Sequence, residues 1–237
     1  MQAHNLQIGY RKQQPVFGNI SFAAGEGDMI ALLGVNGIGK STLLRTISGL
    51  QLPLSGEITI GQKNLTQTSA AERAALVSIV LTEKLAIDNI TVRSLIALGR
   101  SPYTGWLGQL SKADEQLIGE IISLLKLENL QHKFFNQLSD GEKQKVLIAR
   151  ALCQQTPVII LDEPTAFLDF RNKRDILQTL RNVCDTLKKT VILSTHDIEA
   201  AVEHCNKCWI MTEQKTFEEI TKTADFGKDV KSLLQLP

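Results

Sequence analysis

The feature that most constrains this chain is the run Gly34-Val-Asn-Gly-Ile-Gly-Lys-Ser41. An apolar stretch, Asp28 to Leu33, precedes it, and a segment from near Lys40 follows, with Leu43, Leu44 and Ile47 on one helical face. The run fits G-x-x-x-x-G-K-[ST] at every fixed position, after an expected strand and before an expected helix. Gly34, Gly37 and Gly39 let the backbone curl so that successive N–H groups point at phosphate oxygens, and the helix start adds positive potential. Asn36 and Thr42 complete the candidate cradle. Lys40 is placed to neutralise the β and γ oxygens of a nucleotide and to act in catalysis, and Ser41 to ligate Mg²⁺. The competing reading, a glycine-rich turn that happens to carry lysine, is weakened by the strand, loop and helix falling in order.

Such a site needs a carboxylate on the metal side. Pro157 to Leu161 is an apolar run ending in Asp162-Glu163, where a parallel sheet presents its carboxyl edge to ligand. Asp162 is the candidate Mg²⁺ holder, through water, and Glu163 the group that orients or deprotonates the attacking water. Two adjacent carboxylates at a solvated strand end are the plain alternative.

The 237 residues suffice for one to two domains. Short β-branched runs at Leu76 to Leu81, Val158 to Leu161 and Thr190 to Ser194 read as strands, and Ser55 to Ile60 reads as an edge or hairpin strand. Helical patterns at Asn172 to Leu187 and Ile198 to Cys205 alternate with them, which predicts an α/β fold with a largely parallel sheet. From Thr91 to Gln155 only helical patterns occur, among them a capping box at Ser111 and Asp114, so a helical insert interrupts the α/β rhythm. The tail from Gln214 is polar and weakly periodic, and residues 216–237 suggest no role.

Charge and composition narrow the function classes. With 26 Lys+Arg against 25 Asp+Glu the net charge is +1, so no global field favours nucleic acid, and a bound anion must be held by local geometry. No apolar stretch approaches the ~18 to 20 residues that cross a bilayer. The N-terminus lacks the features of a secretory signal, which places the chain in the cytoplasm. Four cysteines predict reduced thiols; Cys205-Asn-Lys-Cys208 lacks the second pair that a tetrahedral zinc site requires. Asn172-Lys-Arg-Asp175 matches a guanine-recognition motif, but it falls at a helix start instead of a strand end.

Over roughly residues 1 to 212 the sequence resembles the ATP-binding subunits of ABC transporters. Leu138-Ser139-Asp140-Gly141-Glu142 stands where that family carries Leu-Ser-Gly-Gly-Gln, upstream of Asp162-Glu163 as in the family. The resemblance implies that Ser139, Gly141 and Glu142 grip the γ-phosphate of ATP held by an opposite subunit. Ser139 and Glu142 also form a plain capping box, and both readings hold together. It further implies that Tyr10 stacks on adenine, that Asp169 in Ala166-Phe-Leu-Asp169 belongs to a loop coupling two sites across a dimer, and that His196 contacts the γ-phosphate as a catalytic group. The implied fold is a P-loop NTPase (RecA-like) core, residues 1–90 and 156–212, with N-terminal antiparallel β elements. A helical subdomain, 91–155, carries the signature, and a tail, 213–237, follows.

The sequence departs from the family at two places. Where the family has Gln after the strand at 76–81, this chain has Thr82 and Glu83, read here as acting on Mg²⁺ through an intervening water. Asp140 and Glu142 add carboxylates to a phosphate site, with Lys143 or Lys145 available to offset them. Ala97-Leu-Gly-Arg100-Ser-Pro102-Tyr103, followed by Leu110 to Asp114, resembles the subfamily serving iron-siderophore, haem and cobalamin uptake. The same residues also read as an ordinary helix end, with Gly99 as cap and Pro102 as stop.

The implied function is an ATPase subunit that energises import of a metal chelate, a ferric siderophore first, with haem or cobalamin as alternatives. Its cofactors are ATP and Mg²⁺. Its partners are a second copy arranged head to tail, a polytopic membrane permease and, indirectly, a substrate-binding protein, with the chain peripheral on the inner face of the cell membrane and no nucleic acid bound. A soluble ABC-type ATPase and a regulator that binds without hydrolysing are the other classes; Thr82 and Asp140 keep the second open.

Overall fold

Two long N-terminal strands, β1 (Gln2–Arg11) and β2 (Gln14–Ala23), pair antiparallel, and the chain then enters a second sheet through β3 (Met29–Gly34). After α1 (Lys40–Ile47) it returns for β4 (Ser55–Ile60) and β5 (Lys63–Asn64), which close the first sheet in the order β2-β1-β4-β5. The computed structural model describes residues 1–11, 14–82, 87–106, 108–166 and 168–234. Glu83, and Phe167 in the expected coupling loop, lie outside the described residues.

The remaining elements build the second sheet and its helices. They are α2 (Ala70–Leu76), β6 (Val77–Val80), α3 (Val92–Ala97), α4 (Lys112–Leu124), α5 (Asp140–Cys153), β7 (Val158–Leu161), α6 (Phe170–Leu187), β8 (Thr190–Ser194), α7 (Ile198–His204), β9 (Lys207–Met211), β10 (Phe217–Thr221) and α8 (Phe226–Leu233). The sheet order is β10-β9-β3-β8-β7-β6, all parallel except β10, which runs antiparallel on β9.

Side chains alternate across a strand, and both faces of this sheet are covered. Met29, Ala31, Leu33, Ile159, Leu161, Val191, Leu193 and Ile210 join one apolar cluster with α3 to α8. Ile30, Leu32, Val158, Ile160, Ile192, Trp209 and Met211 join another with α1 and the antiparallel sheet. The unbroken apolar runs of β3, β7 and β8 follow from burial on both sides. Trp209 stacks on Phe22 of the other sheet, ring centroids 4.0 Å apart, and its Nε1 donates to Glu219 on β10 at 3.0 Å.

Residues 91–155 form α3, α4 and α5 with short 3₁₀ turns. Gly99 lets two of them meet: a Cβ there would lie 2.2 Å from the Arg150 carbonyl oxygen. The adjacent Arg100 is buried, its Nε donating to Asp114 Oδ1 at 2.7 Å and its Nη1 to the Cys153 carbonyl at 2.8 Å and Gln155 Oε1 at 3.0 Å. The segment read as a subfamily motif therefore joins the ends of three helices. Among the described residues no helix is long and apolar enough to cross a membrane.

Several expectations change. Leu76 ends α2, so the strand expected from Leu76 starts at Val77. Of the two alternatives for Ser55 to Ile60, the hairpin holds: β4 pairs antiparallel with β5, Ile60 opposite Lys63, and lies between β1 and β5 instead of at an edge. The periodicity reading found no strand in residues 1–23, because register shifts and the left-handed Asn5 (φ 48°) and Asn19 (φ 56°) blur the alternation of β1 and β2. The tail, polar and weakly periodic in the sequence, supplies β10 and α8. The signal is thin because α8 buries only Phe226 and Val230.

Candidate active site

The glycines of the loop are required by what surrounds them. Gly37 and Gly39 have φ of 77° and 120°, in the region that L side chains avoid. A Cβ on Gly34 would lie 2.6 Å from the Met211 carbonyl oxygen, and one on Gly39 2.8 Å from Val16 Cγ1, so β9 and β2 press on the loop. Gly39 is the N-cap of α1 and offers no side chain, leaving the first-turn amides without a side-chain acceptor. Lys40 is buried inside the loop, its Nζ donating to the carbonyls of Gly34 at 2.8 Å and Val35 at 3.1 Å. Burial lowers its pKa, and the nearby Glu163 and Asp162 carboxylates partly oppose that. Asn36, Gly37 and Ser41 are exposed at the mouth of the loop, while Thr42 is buried.

The parallel register brings strand ends to the same edge. Leu161 pairs with Val80 on one side and Leu193 on the other, so the residues that follow on β6, β7 and β8 converge. Asp162 is buried there; its N–H donates to the Val80 carbonyl at 2.8 Å and its Oδ1 accepts from Ser194 Oγ at 2.6 Å. Glu163 sits at φ 49°, its N–H donating to the same Ser194 Oγ at 2.8 Å, with its Oε1 2.6 Å from His196 Nε2. The pair opens on a cleft of about 650 Å³ whose walls include Thr165, Lys173, Thr195 and Lys231.

Thr82 lies at the same edge, where its Oγ1 donates to the Asp162 carbonyl at 2.9 Å, so its hydroxyl proton braces the backbone that follows β7. Asp162 and Ser41 still offer hard oxygen donors of the kind Mg²⁺ takes. Tyr10 is 74% exposed, with its hydroxyl 3.4 Å from Thr42 Oγ1, leaving a free aromatic face beside the loop.

The signature and coupling residues lie together. Ser139 caps α5: its N–H and Oγ donate to Glu142 Oε2 at 2.8 and 2.9 Å, and the Glu142 N–H donates back to Ser139 Oγ at 3.3 Å. The Ser139 amide holds Glu142 below the usual carboxylate range, and its hydroxyl, Lys133 and Lys145 add to that. Gly141 packs against Leu168 and Asn172, which a Cβ would meet at 3.4 and 3.5 Å. Asp169 caps α6, accepting from the Asn172 N–H at 2.9 Å and Nδ2 at 2.7 Å. The guanine-like motif is therefore the first turn of α6, its Asn side chain held by Asp169. Among the described residues no hydrogen bond or ion pair joins Ser139, Gly141 or Glu142 to the Lys40, Asp162 and Glu163 group.

The sequence reading did not single out Ser194 or Lys231. A polar last residue on a strand, two positions before His196, was the available signal for the first. All four cysteines are buried; burial pushes the thiols of Cys153, Cys184 and Cys208 up to about 12 and that of Cys205 up as well.

The family described as "ABC transporter" matches residues 17–166, and one described as "AAA domain, putative AbiEii toxin, Type IV TA system" matches residues 134–203. An uncharacterised ABC transporter ATP-binding protein of Methanocaldococcus jannaschii is 36% identical over 91% of this chain and 74% of its own length. The achromobactin transport ATP-binding protein of Dickeya dadantii is 34% identical over 86% of this chain and 76% of its own length. Among solved structures, one described as an inward-facing conformation of a "putative metal-chelate type ABC transporter" superposes with TM-score 0.83 at 27% identity, covering 100% of this chain and 89% of that one. A dimeric ATP-binding cassette in a post-hydrolysis state, bound to ADP and Pi, gives TM-score 0.79 at 26% identity, covering 93% and 97%.

Proposed function

Because this chain belongs to the ABC transporter family and is an ATPase of that family, we propose that it energises import of a metal chelate, a ferric siderophore first, through a separate membrane permease. The observation that carries the reading is the convergence of Lys40, Asp162, Glu163 and His196 on one sheet edge, beside a phosphate-shaped loop. The kind of cargo is supported by the relative named for achromobactin transport and by the neighbour titled as a metal-chelate type transporter.

In this reading the loop amides and Lys40 take the β and γ phosphates, and Tyr10 takes the adenine ring. Asp162 and Ser41 would hold Mg²⁺, which supplies charge neutralisation at the phosphoryl oxygens. Glu163 orients or deprotonates the attacking water, and His196 fixes the Glu163 carboxylate through their 2.6 Å contact. Residues 91–155 act as the signature-bearing subdomain. Ser139 and Gly141 of one copy face the nucleotide of a second copy, and closure and reopening of that pair drive a permease on the inner face of the membrane, fed by a substrate-binding protein.

The test is uptake of radiolabelled iron as a ferric siderophore by cells lacking this gene. Uptake is expected to fall to background and to return with the wild-type chain but not with Glu163→Gln. Undiminished uptake overturns the siderophore assignment, and a loss confined to haem or cobalamin moves the assignment to that chelate.

A further inference from the structure

We propose that Ser194 is a positioning residue of the hydrolytic site, whose single hydroxyl ties the Asp162 carboxylate and the Glu163 backbone into one unit. This rests on the ATPase reading. Ser194 is 0% exposed, at the carboxyl end of β8. A serine hydroxyl has one proton and two acceptor lone pairs. Here the proton goes to Asp162 Oδ1 at 2.6 Å, and a lone pair receives the Glu163 N–H at 2.8 Å. The carboxylate is thereby held against rotation about its Cβ–Cγ bond, which fixes the direction its other oxygen faces. The same atom anchors the peptide of a residue held at φ 49°, a conformation that persists only where its surroundings impose it.

The arrangement reaches the base from both ends. Ser194 holds the Glu163 amide, and His196, two residues further along, meets its carboxylate at 2.6 Å. Thr82 braces the Asp162 carbonyl from the opposite flank. Parallel pairing of Leu161 with Leu193 sets Asp162 beside Ser194, in a space closed to solvent that suits a short side chain able both to donate and to accept. A groups-through-groups role of this kind is how outer-shell hydrogen bonds tune a metal-side carboxylate.

The experiment uses the full chain with Ser194→Ala, Ser194→Thr and Ser194→Val; the last two share a shape and differ in the hydroxyl. Three quantities are read: kcat and KM for Mg-ATP, Mn²⁺ affinity in the presence of ADP by electron paramagnetic resonance, and affinity for a fluorescent ATP analogue in EDTA. Ser194→Ala and Ser194→Val are expected to lose about 10- to 100-fold in kcat and about 10-fold in Mn²⁺ affinity. KM and the metal-free nucleotide affinity should stay within about twofold, because the loop is untouched. Ser194→Thr is expected to stay near wild type.

The proposal is overturned if Ser194→Ala keeps wild-type kcat and Mn²⁺ affinity. It is equally overturned if the metal-free nucleotide affinity falls as far as kcat, which marks a merely structural role, or if Ser194→Thr falls as far as Ser194→Val. Ser194→Ala deletes one oxygen atom and keeps the test open should either β-branched variant fail to fold. A wild-type chain without Mg²⁺-dependent hydrolysis would instead sink the ATPase reading, and the Mn²⁺ comparison would still decide the role of Ser194.

Discussion

Glu163 stores strain at the point where the chemistry is placed. A non-glycine residue in the left-handed region costs about 1–3 kcal/mol, and here Ser194 and His196 hold it there. Glu163→Gly keeps the amide bond to Ser194 while removing both the strain and the carboxylate. Its thermal midpoint should equal or exceed that of wild type by a few degrees, at about 2–4 °C per kcal/mol for a chain of this size. Its ATP hydrolysis should fall by about 10² to 10⁴-fold. Calorimetry beside a phosphate-release assay checks both; a marked drop in midpoint would mean that the side-chain contact outweighs the strain. Lys40, Asp162 and Glu163 were legible from their motifs alone. Ser194 was not, because its role comes from a neighbour 32 positions earlier in the chain that only strand register brings close.

At the scale of elements, the helical segment is held by close approach and by one buried ion pair. Gly99→Ala would push a methyl into the Arg150 carbonyl, forcing α3 and α5 apart or the backbone to shift, at a cost of about 1–3 kcal/mol. Urea unfolding should show a lower midpoint with an unchanged slope. The capping box at Ser111 and Asp114, read from sequence, forms as expected, with Ser111 N–H and Oγ donating to Asp114 Oδ2 at 2.9 and 2.7 Å. The Ser111 hydroxyl and amide, with the Arg100 guanidinium, lower the Asp114 carboxyl to about 2. The stabilisation tied to its charge is thus present above the ordinary carboxylate pKa and is lost as pH falls from there toward 2. That Arg100 joins the start of α4, through Asp114, to the end of α5, through Cys153 and Gln155, was not legible, since only the crossing of the helices brings these ends together.

For the whole molecule, one six-stranded sheet with both faces covered puts the loop, the carboxylates and His196 at a common edge, while Gly141 packs against Leu168 and Asn172 at the start of α6. Among the described residues no hydrogen bond or ion pair links the two groups within the chain, and the proposed function has a second copy supply the signature. Glu163→Gln with ATP and no Mg²⁺ should therefore run as a dimer in light scattering and return to monomer when nucleotide is removed. A monomer at saturating ATP would count against the head-to-tail arrangement. The C-terminal β10 and α8 extend the sheet and bring Lys231 to the cleft beside Glu163, so the tail is part of the fold that frames the site.

The sequence by itself determined the chemistry and the fold class. A phosphate loop demands glycines and a lysine at fixed spacing, an apolar strand ending in Asp-Glu advertises a carboxyl edge, and buried parallel strands carry apolar runs that local pattern detects. What only the tertiary structure decided was which groups hold those residues in place. Thr82 turned to the backbone of Asp162, Ser194 became its clamp, Arg100 became the tie between three helices, and the tail became a strand and a helix. These contacts join residues far apart in the chain, and the hydrogen bonds that define them depend on strand register and helix crossing, which no window of neighbouring residues encodes.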